Sequence, residues 1–361
     1  MVVTGRRRAE VVGTGLIGGS LGLALRQRGW HVSGNDVWPE RAAEARAVGA
    51  LDEVGTDPQA EVVFVAVPAA HAGPVAARLL AEPARRPDVV VSDVSGVKAS
   101  VVAAVDHPRF VGGHPMAGSE QVGLSGADPE LFVGATWVLT PTPATDLQAF
   151  SRTAAVVSEL GADVVVLSPA DHDRLVAVVS HVPHLVAAAL MNAAAAGKER
   201  GDAALLRLAA GGFRDMTRVA AGHPGIWPDI CADNATAIVG ALDSLLADLA
   251  AIRDRVAAGD RAAILGLLQA ASQARRALPA RATRPEALME LRVPVPDREG
   301  VLAEVTSVAG DLGVNIYDIE IAHSPEGTRG VLMLVVEAAD APKLHAGVAA
   351  RGYRCTVREL S

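Results

Sequence analysis

The residues best suited to chemistry lie in Gly112-Gly113-His114-Pro115-Met116-Ala117-Gly118-Ser119-Glu120. A histidine whose ordinary pKa is near about 6.5 suits proton transfer around neutrality, so His114 is a candidate general base. Pro115 biases His114 toward an extended or turn conformation. The flanking glycines let a ligand approach the backbone closely. Glu120 adds a carboxylate on the same stretch. The competing reading is a turn in which His114 merely caps a strand, and the stretch alone leaves both open.

A second constellation precedes it. Gly13-Thr14-Gly15-Leu16-Ile17-Gly18 sits between a buried strand, Ala9 to Val12, and a helix-like run to Arg28. The next strand, His31 to Asn35, ends at Asp36. A glycine fingerprint in this context, with an acidic residue closing the second strand, points to a dinucleotide. Gly13 permits the tight turn, Gly15 lets a pyrophosphate approach, and Gly18 lets helix and strand pack closely. The start of the helix, at Leu16 and Ile17, offers free N–H groups to phosphate. Asp36 suits ribose hydroxyls and repels a 2′-phosphate, and Val37 and Trp38 supply no arginine beside it, so the cofactor expected is NAD rather than NADP.

The elements that must hold these residues alternate. Strands are expected at Glu61 to Val67, Val89 to Ser92, Phe110-Val111, Thr136 to Leu139 and Val164 to Leu167, with helices such as Ala70 to Leu80 and Leu147 to Leu160 between them. Such alternation predicts an α/β fold with a mostly parallel sheet and helices on both faces. Ligands bind beyond the carboxyl ends of such strands. Val67-Pro68, Asp93-Val94-Ser95 and His114 all fall there.

From Pro169 to about Arg281 the chain reads as helical, rich in alanine and leucine. Asp171-His172-Asp173 opens it. His181 and His184 stand three apart and can share a helical face. No third ligand with matching spacing stands nearby, so no metal is expected, and Pro183 predicts a kink. In Gly211-Gly212-Phe213-Arg214-Asp215-Met216-Thr217-Arg218 the glycines end one helix and Asp215 caps the next. Arg218 would then lie in the first turn, its fork suited to a carboxylate, or be an ordinary surface residue. Trp227 is core or pocket wall. A linker is expected from Arg281 to Glu286, flanked by Pro279 and Pro285. Beyond it, strand Leu288 to Val295, helix Val301 to Leu312, strands Asn315 to Ala322 and Thr328 to Glu337, helix Ala341 to Ala350 and strand Tyr353 to Val357 make a ferredoxin-like βαββαβ module.

With 361 residues, two or three domains are expected. A net charge of −8 and the absence of a long basic run argue against nucleic acid as a partner. Cys231 and Cys355 give neither a metal spacing nor a disulfide framework, which fits a reducing cytoplasm. Arg6-Arg7-Arg8 before the charge-free run Val11 to Leu25 imitates a secretory leader, but Glu10 interrupts it and the run belongs to the glycine fingerprint. No stretch is expected to reach the ~18 apolar residues of a membrane span.

Gly113-His114-Pro115-Met116-Ala117-Gly118-Ser119-Glu120, Ser180-His181-Val182-Pro183-His184 and Gly211 to Arg218, in this order behind the fingerprint, resemble the prephenate/arogenate dehydrogenases of tyrosine biosynthesis, from about residue 8 to 280. The last stretch resembles an ACT domain, a module that binds amino acids. The resemblance implies a Rossmann-type NAD-binding domain (1–168), an all-helical substrate and dimerisation domain (169–284) and an ACT regulatory domain (288–361). It implies that NAD takes a hydride from C4 of prephenate while the C4 hydroxyl becomes a ketone and the ring carboxylate leaves as carbon dioxide. His114 would take the hydroxyl proton and Arg218 would clamp the ring carboxylate. Glu120, Asp215, His181, His184 and Trp227 would line the substrate side. The module would bind an effector, most readily tyrosine, through Asp297, Gly300, Val301, Leu302, Asn315 and Ile316, and the chain would form a cytoplasmic homodimer.

One departure stands out. The family reads Asp-x-x-Ser-x-Lys, with the serine on nicotinamide and substrate. Here Asp93-Val94-Ser95-Gly96-Val97-Lys98 carries its serine one place early. Either Ser95 takes the role through a local backbone shift or the contact is lost. Arogenate and 4-amino-4-deoxyprephenate remain alternative substrates. Other readings are a hydroxyacid or imine reductase and a catalytically inactive amino-acid sensor.

Overall fold

The computed structural model describes residues 6–105, 107–118, 121, 123–199, 208–222, 224–277, 288–296, 298, 300–323 and 329–359. By its internal contacts the chain divides into two compact units, Met1–Ala251 and Ile252–Ser361.

The first unit opens with β1 (Arg8–Val12), α1 (Leu16–Gln27), β2 (His31–Asn35), α2 (Pro39–Ala47), β3 (Glu53–Val54), β4 (Val62–Val65), α3 (Ala69–Ala81), β5 (Val90–Asp93), α4 (Ala99–Ala103), β6 (Phe110–Pro115), β7 (Thr136–Thr140), α5 (Leu147–Glu159) and β8 (Asp163–Val166). They form an eight-stranded sheet ordered β3-β2-β1-β4-β5-β6-β7-β8, parallel except where β6 meets β7. β4 beside β1 is short, apolar and valine-rich, as expected where both sheet faces are covered. Leu21 and Leu25 of α1 and Val156 and Val157 of α5 pack on one face; Ala72, Ala76 and Leu80 of α3 and Val101 of α4 pack on the other. β1 lies between β2 and β4, so the strand order reverses there and opens a crevice at the carboxyl ends.

Most expected elements form, with shifted ends. β4 stops at Val65, short of Val67. β6 runs through His114 to Pro115, so His114 lies within a strand, opposite Val138. The pattern did not mark α2, β3 or α4. α2 buries only Ala42 and Ala45 and is otherwise polar, so it carries no apolar stripe to read.

Helices follow: α6 (Pro169–Val176), α7 (Val182–Glu199), α8 (Gly211–Thr217), α9 (Trp227–Asp233) and α10 (Ala235–Ala258). Ser168 caps α6, its hydroxyl accepting from Asp171 N at 3.0 Å. The kink expected at Pro183 takes another form. Residues Ala177–His181 make a π turn, in which Val182 N–H reaches back five residues to the Ala177 carbonyl. Pro183 follows directly and has no N–H to continue a regular ladder. The cap expected at Asp215 does not form. α8 starts at Gly211 with Ala210 at its N-cap, which puts Asp215 inside the helix and Arg218 at its C-cap.

Two helical stretches, Pro169–Ala196 and Ala235–Ala258, are long and apolar enough to cross a membrane, with mean hydropathies of 1.6 and 1.7. This corrects the expectation that none would be. Alanine supplies much of that apolar character, and the first stretch also carries buried His172, Asp173 and His181.

In the second unit, α11 (Arg261–Arg276) is capped by Asp260, which accepts from Ala263 N at 3.0 Å. Next come β9 (Leu288–Pro296), α12 (Val301–Asp311), β10 (Ile316–His323), β11 (Arg329–Glu337), α13 (Ala341–Ala350) and β12 (Thr356–Glu359). The sheet is antiparallel, ordered β10-β11-β9-β12, and Leu291, Val293 and Leu334 pack against Val305, Val308 and Leu344 of the two helices. This is the expected βαββαβ order. The last strand begins at Thr356 rather than Tyr353, and the one before it at Arg329, since Thr328 lies outside the described residues. The linker Arg281 to Glu286, Glu120 and Asp297 also lie outside them.

Candidate active site

The turn after β1 is built from backbone. Gly13 has φ 95°, and its N–H donates to the Asn35 carbonyl at 2.8 Å. A Cβ there would lie 2.4 Å from the Ala66 carbonyl oxygen of the neighbouring strand end. At Gly18 a Cβ would lie 1.8 Å from the Gly13 carbonyl oxygen, so helix and turn touch. Gly15 differs: nothing lies within 4 Å of its would-be Cβ. It is the N-cap of α1, with no side-chain cap. The unsatisfied N–H groups of the first turn thus stand beside open space, which fits a pyrophosphate. Asp36 is held ready. Its Oδ2 accepts from Thr14 N at 2.8 Å and Thr14 Oγ at 3.1 Å, and its Oδ1 accepts from Trp38 N at 3.0 Å.

A cleft of about 900 Å³ leads from this turn. Its walls include Leu16, Ile17, Val67, Pro68, Ser95, Gly96, His184 and Trp227. His184 stacks on Trp227 with ring centroids 3.7 Å apart, and His181 meets the same ring edge-on at 6.2 Å. The spacing of the two histidines therefore does place them on one face.

His114 stands where β6 has run past its pairing with β5, which ends at Ser92 with Val111. Gly113 allows this close approach, because a Cβ there would lie 2.7 Å from the Asp93 carbonyl oxygen. Lys98 is fully buried, and its ammonium binds the Asp93 carboxylate and the Gly113 carbonyl. Behind His114 runs a chain of side chains. His114 Nδ1 lies 2.8 Å from His172 Nε2, and His172 Nδ1 lies 2.7 Å from Asp173 Oδ1. Asp173 is itself fixed by Lys98 N at 2.7 Å and Ala99 N at 2.8 Å, at the start of α4.

The partners dictate the protons. A carboxylate only accepts, so His172 Nδ1 carries hydrogen, and in a neutral imidazole Nε2 is then bare. His114 must therefore donate from Nδ1, which leaves its Nε2 as an open lone pair. Burial pushes the His114 imidazole well below its usual 6.5, and the Lys98 ammonium, His172 and His181 push the same way. His114 is thus a neutral base at neutral pH.

The space before that nitrogen is shaped by Gly96. A Cβ on Gly96 would lie 3.8 Å from His114 Nε2, in ordinary contact and with no other close neighbour. Ser95 is 6% exposed, and its hydroxyl is buried without a hydrogen-bond partner among the described residues.

Residues 21–166 match the family model for the prephenate dehydrogenase nucleotide-binding domain, and 168–270 match that for the prephenate dehydrogenase dimerization domain. The chain is 33% identical to the prephenate dehydrogenase of Bacillus subtilis over 91% of this chain and 92% of that protein. The chain belongs to the prephenate dehydrogenase family. Among solved structures, it is similar to prephenate dehydrogenase from A. aeolicus in complex with hydroxyphenyl propionate and NAD+, with 28% identity, a TM-score of 0.70, and coverage of 77% of this chain and 100% of that one. It is also similar to Synechocystis arogenate dehydrogenase, with 34% identity, a TM-score of 0.66, and coverage of 74% and 98%.

Within this prephenate dehydrogenase fold, the cleft gathers Gly15, Leu16, Ile17, Val67, Pro68, Ser95, His184 and Trp227 of the residues singled out from sequence. Arg218 and Asp215 are exposed at the end of α8, while Val219 and Gly222 just beyond them reach the cleft wall. Sequence reasoning missed the roles of His172, Asp173 and Lys98. Only the acidic and histidine residues opening α6 gave a signal, and nothing local paired them with His114.

Proposed function

We propose that this protein oxidises prephenate with NAD and releases carbon dioxide, giving 4-hydroxyphenylpyruvate. The observation that carries the reading is the open Nε2 of His114, backed by His172 and Asp173 and lying beside Gly96, which lines the cleft. NAD, when bound, accepts the hydride from the ring carbon bearing the hydroxyl. Gly13, Gly15 and Gly18 shape its seat, and Asp36 takes the ribose hydroxyls, which favours NAD over NADP. His114 Nε2 receives the hydroxyl proton as the carbonyl forms. His172 and Asp173 hold the ring in orientation and stabilise the charge it gains. Ser95 has a hydroxyl without a partner among the described residues to offer the ligand side of the cleft, and His181, His184 and Trp227 complete the substrate side. Arg218, close in sequence to Val219 on the cleft wall, serves as the clamp for the ring carboxylate, with Asp215 beside it in α8.

The chain is read as three parts, 1–168, 169–284 and 288–361, acting as a cytoplasmic homodimer. Exposed Val178, Val179, Leu246 and Leu249 on the helices of the matched dimerization region support the pairing. The last part is read as an ACT domain that binds tyrosine. Gly300, in the left-handed conformation at φ 81°, is the N-cap of α12 without a side-chain cap, leaving first-turn N–H groups such as that of Leu302, next to Val301, for an amino-acid carboxylate. Ile316 opens β10 directly after Asn315, and the two meet the effector's polar end.

Steady-state kinetics with NAD on prephenate, arogenate and 4-amino-4-deoxyprephenate test the reading. Prephenate is expected to give the highest kcat/KM. Preference for either amine-bearing substrate would reassign the specificity, and no turnover of any of the three would overturn the function.

A further inference from the structure

Asn234 sits at the junction of α9 and α10, as the C-cap of α9, and is 5% exposed. Its side-chain nitrogen donates to the backbone carbonyl of Asp173 at 2.8 Å and lies 3.2 Å from His181 Nδ1. The first contact settles the orientation of the amide, because a carbonyl can only accept. The nitrogen facing His181 is therefore a donor, and His181 Nδ1 must be bare. In a neutral imidazole the hydrogen then lies on Nε2.

We propose that Asn234 is a positioning residue that locks His181 in its Nε2–H form and ties that histidine to the backbone of the residue anchoring the His114 chain. The two histidines then present opposite characters. His114 offers a lone pair from Nε2, and His181 offers a hydrogen from Nε2. A site that must take a proton from a hydroxyl while holding an anionic substrate needs one of each, and a donor that is not itself a cation leaves the neighbouring base neutral. The groups whose charge acts on His181 are Asp173 and His172 of α6; His181 in turn acts on His114 of β6. Burial keeps His181 below its usual pKa, in keeping with a neutral donor.

The inference rests on the proposed dehydrogenase reading for its purpose but not for its test. Long-range proton–nitrogen NMR on the full-length protein, without substrate, reports which ring nitrogen of His181 is protonated. The assignment comes from a His181→Gln sample. The expected result is hydrogen on Nε2 and a bare Nδ1. Hydrogen on Nδ1 in the unaltered protein overturns the proposal, whatever the enzyme turns over. In Asn234→Asp a carboxylate replaces the donor and demands hydrogen on Nδ1. That variant should shift His181 to the Nδ1–H or doubly protonated form and raise its titration midpoint by about one pH unit or more. A folded Asn234→Asp protein with an unchanged tautomer and midpoint also overturns it. If that variant fails to fold, the measurement on the unaltered protein still decides. A loss of prephenate turnover in the parent would sink the function while leaving this result intact.

Discussion

The nucleotide turn and the histidine chain, to which we assign one reaction, are built by opposite means. The turn is six consecutive residues, Gly13 to Gly18, and its working groups are backbone N–H groups at a helix start. Its precision comes from missing side chains: a Cβ at Gly13 or Gly18 collides with a carbonyl oxygen. The histidine chain works entirely through side chains. His114 comes from β6, His172 and Asp173 from α6, and Asn234 from the α9–α10 junction, and they meet only because those elements pack together. At Gly13 and Gly18 the turn tolerates no added atom; the histidine chain tolerates no lost hydrogen bond. Substitutions should therefore act differently in the two places.

The largest effect is expected at the head of the chain. His114→Asn keeps a polar side chain of similar reach but has no basic nitrogen. It should lower kcat/KM for prephenate by roughly 10²–10⁴-fold, the usual worth of a general base. NAD affinity, read by fluorescence titration, should stay near its native value, because the turn is built independently. A variant with near-native kcat would make His114 a structural strand residue and erase the contrast.

A smaller effect is expected at the turn. Gly15 has φ −75° and ψ −157°, a conformation open to any residue, and its would-be Cβ faces empty space. Gly15→Val should therefore fold with an unchanged Tm. Its methyl groups would occupy the space left for pyrophosphate, so the KM for NAD should rise about tenfold or more, equivalent to ~1.4 kcal/mol of binding. Unchanged NAD affinity would move the phosphates away from this turn.

The same contrast explains what the sequence made legible. The fingerprint, its flanking strands and Asp36 lie within 30 residues, so local spacing was enough to read cofactor and fold together. His114 stood out because glycines and a proline surround it. Its partner His172 lies 58 positions on, in a helix that also reads as plain amphipathic packing. No local signal states that the two rings meet at 2.8 Å. Lys98 was visible as a motif residue but not as a buried ammonium holding Asp93 and Gly113. The misread cap at Asp215 has a physical cause too: the glycines at 211 and 212 start α8 instead of ending the helix before it. The π turn before Pro183 was read as a kink because sequence shows the missing N–H but not how the backbone resolves it.

The smallest effect separates the two regions by acid. His114 is neutral when folded, with its pKa well below the usual 6.5, mainly because of burial. In the unfolded chain the same ring takes a proton near pH 6.5. Between that value and the lower folded one, the unfolded state binds more protons, so stability present above pH 6.5 is lost as the pH falls. The slope contributed by one such group is at most about 1.4 kcal/mol per pH unit. His181 and His184 are also held low by burial and act with the same sign, so the test is a difference between proteins. Urea unfolding from about pH 7 down to about pH 5 should show the native enzyme losing stability faster than His114→Asn, with the gap opening below about 6.5. The acid limb of kcat/KM should set in only well below pH 6.5, at the lowered pKa of the folded base, since the base works in its neutral form. NAD binding should be nearly level across the same range, because the backbone N–H groups of the turn do not titrate. Parallel unfolding curves for the two proteins would mean that His114 binds its proton equally in both states, and its neutrality could no longer be laid to the buried chain behind it.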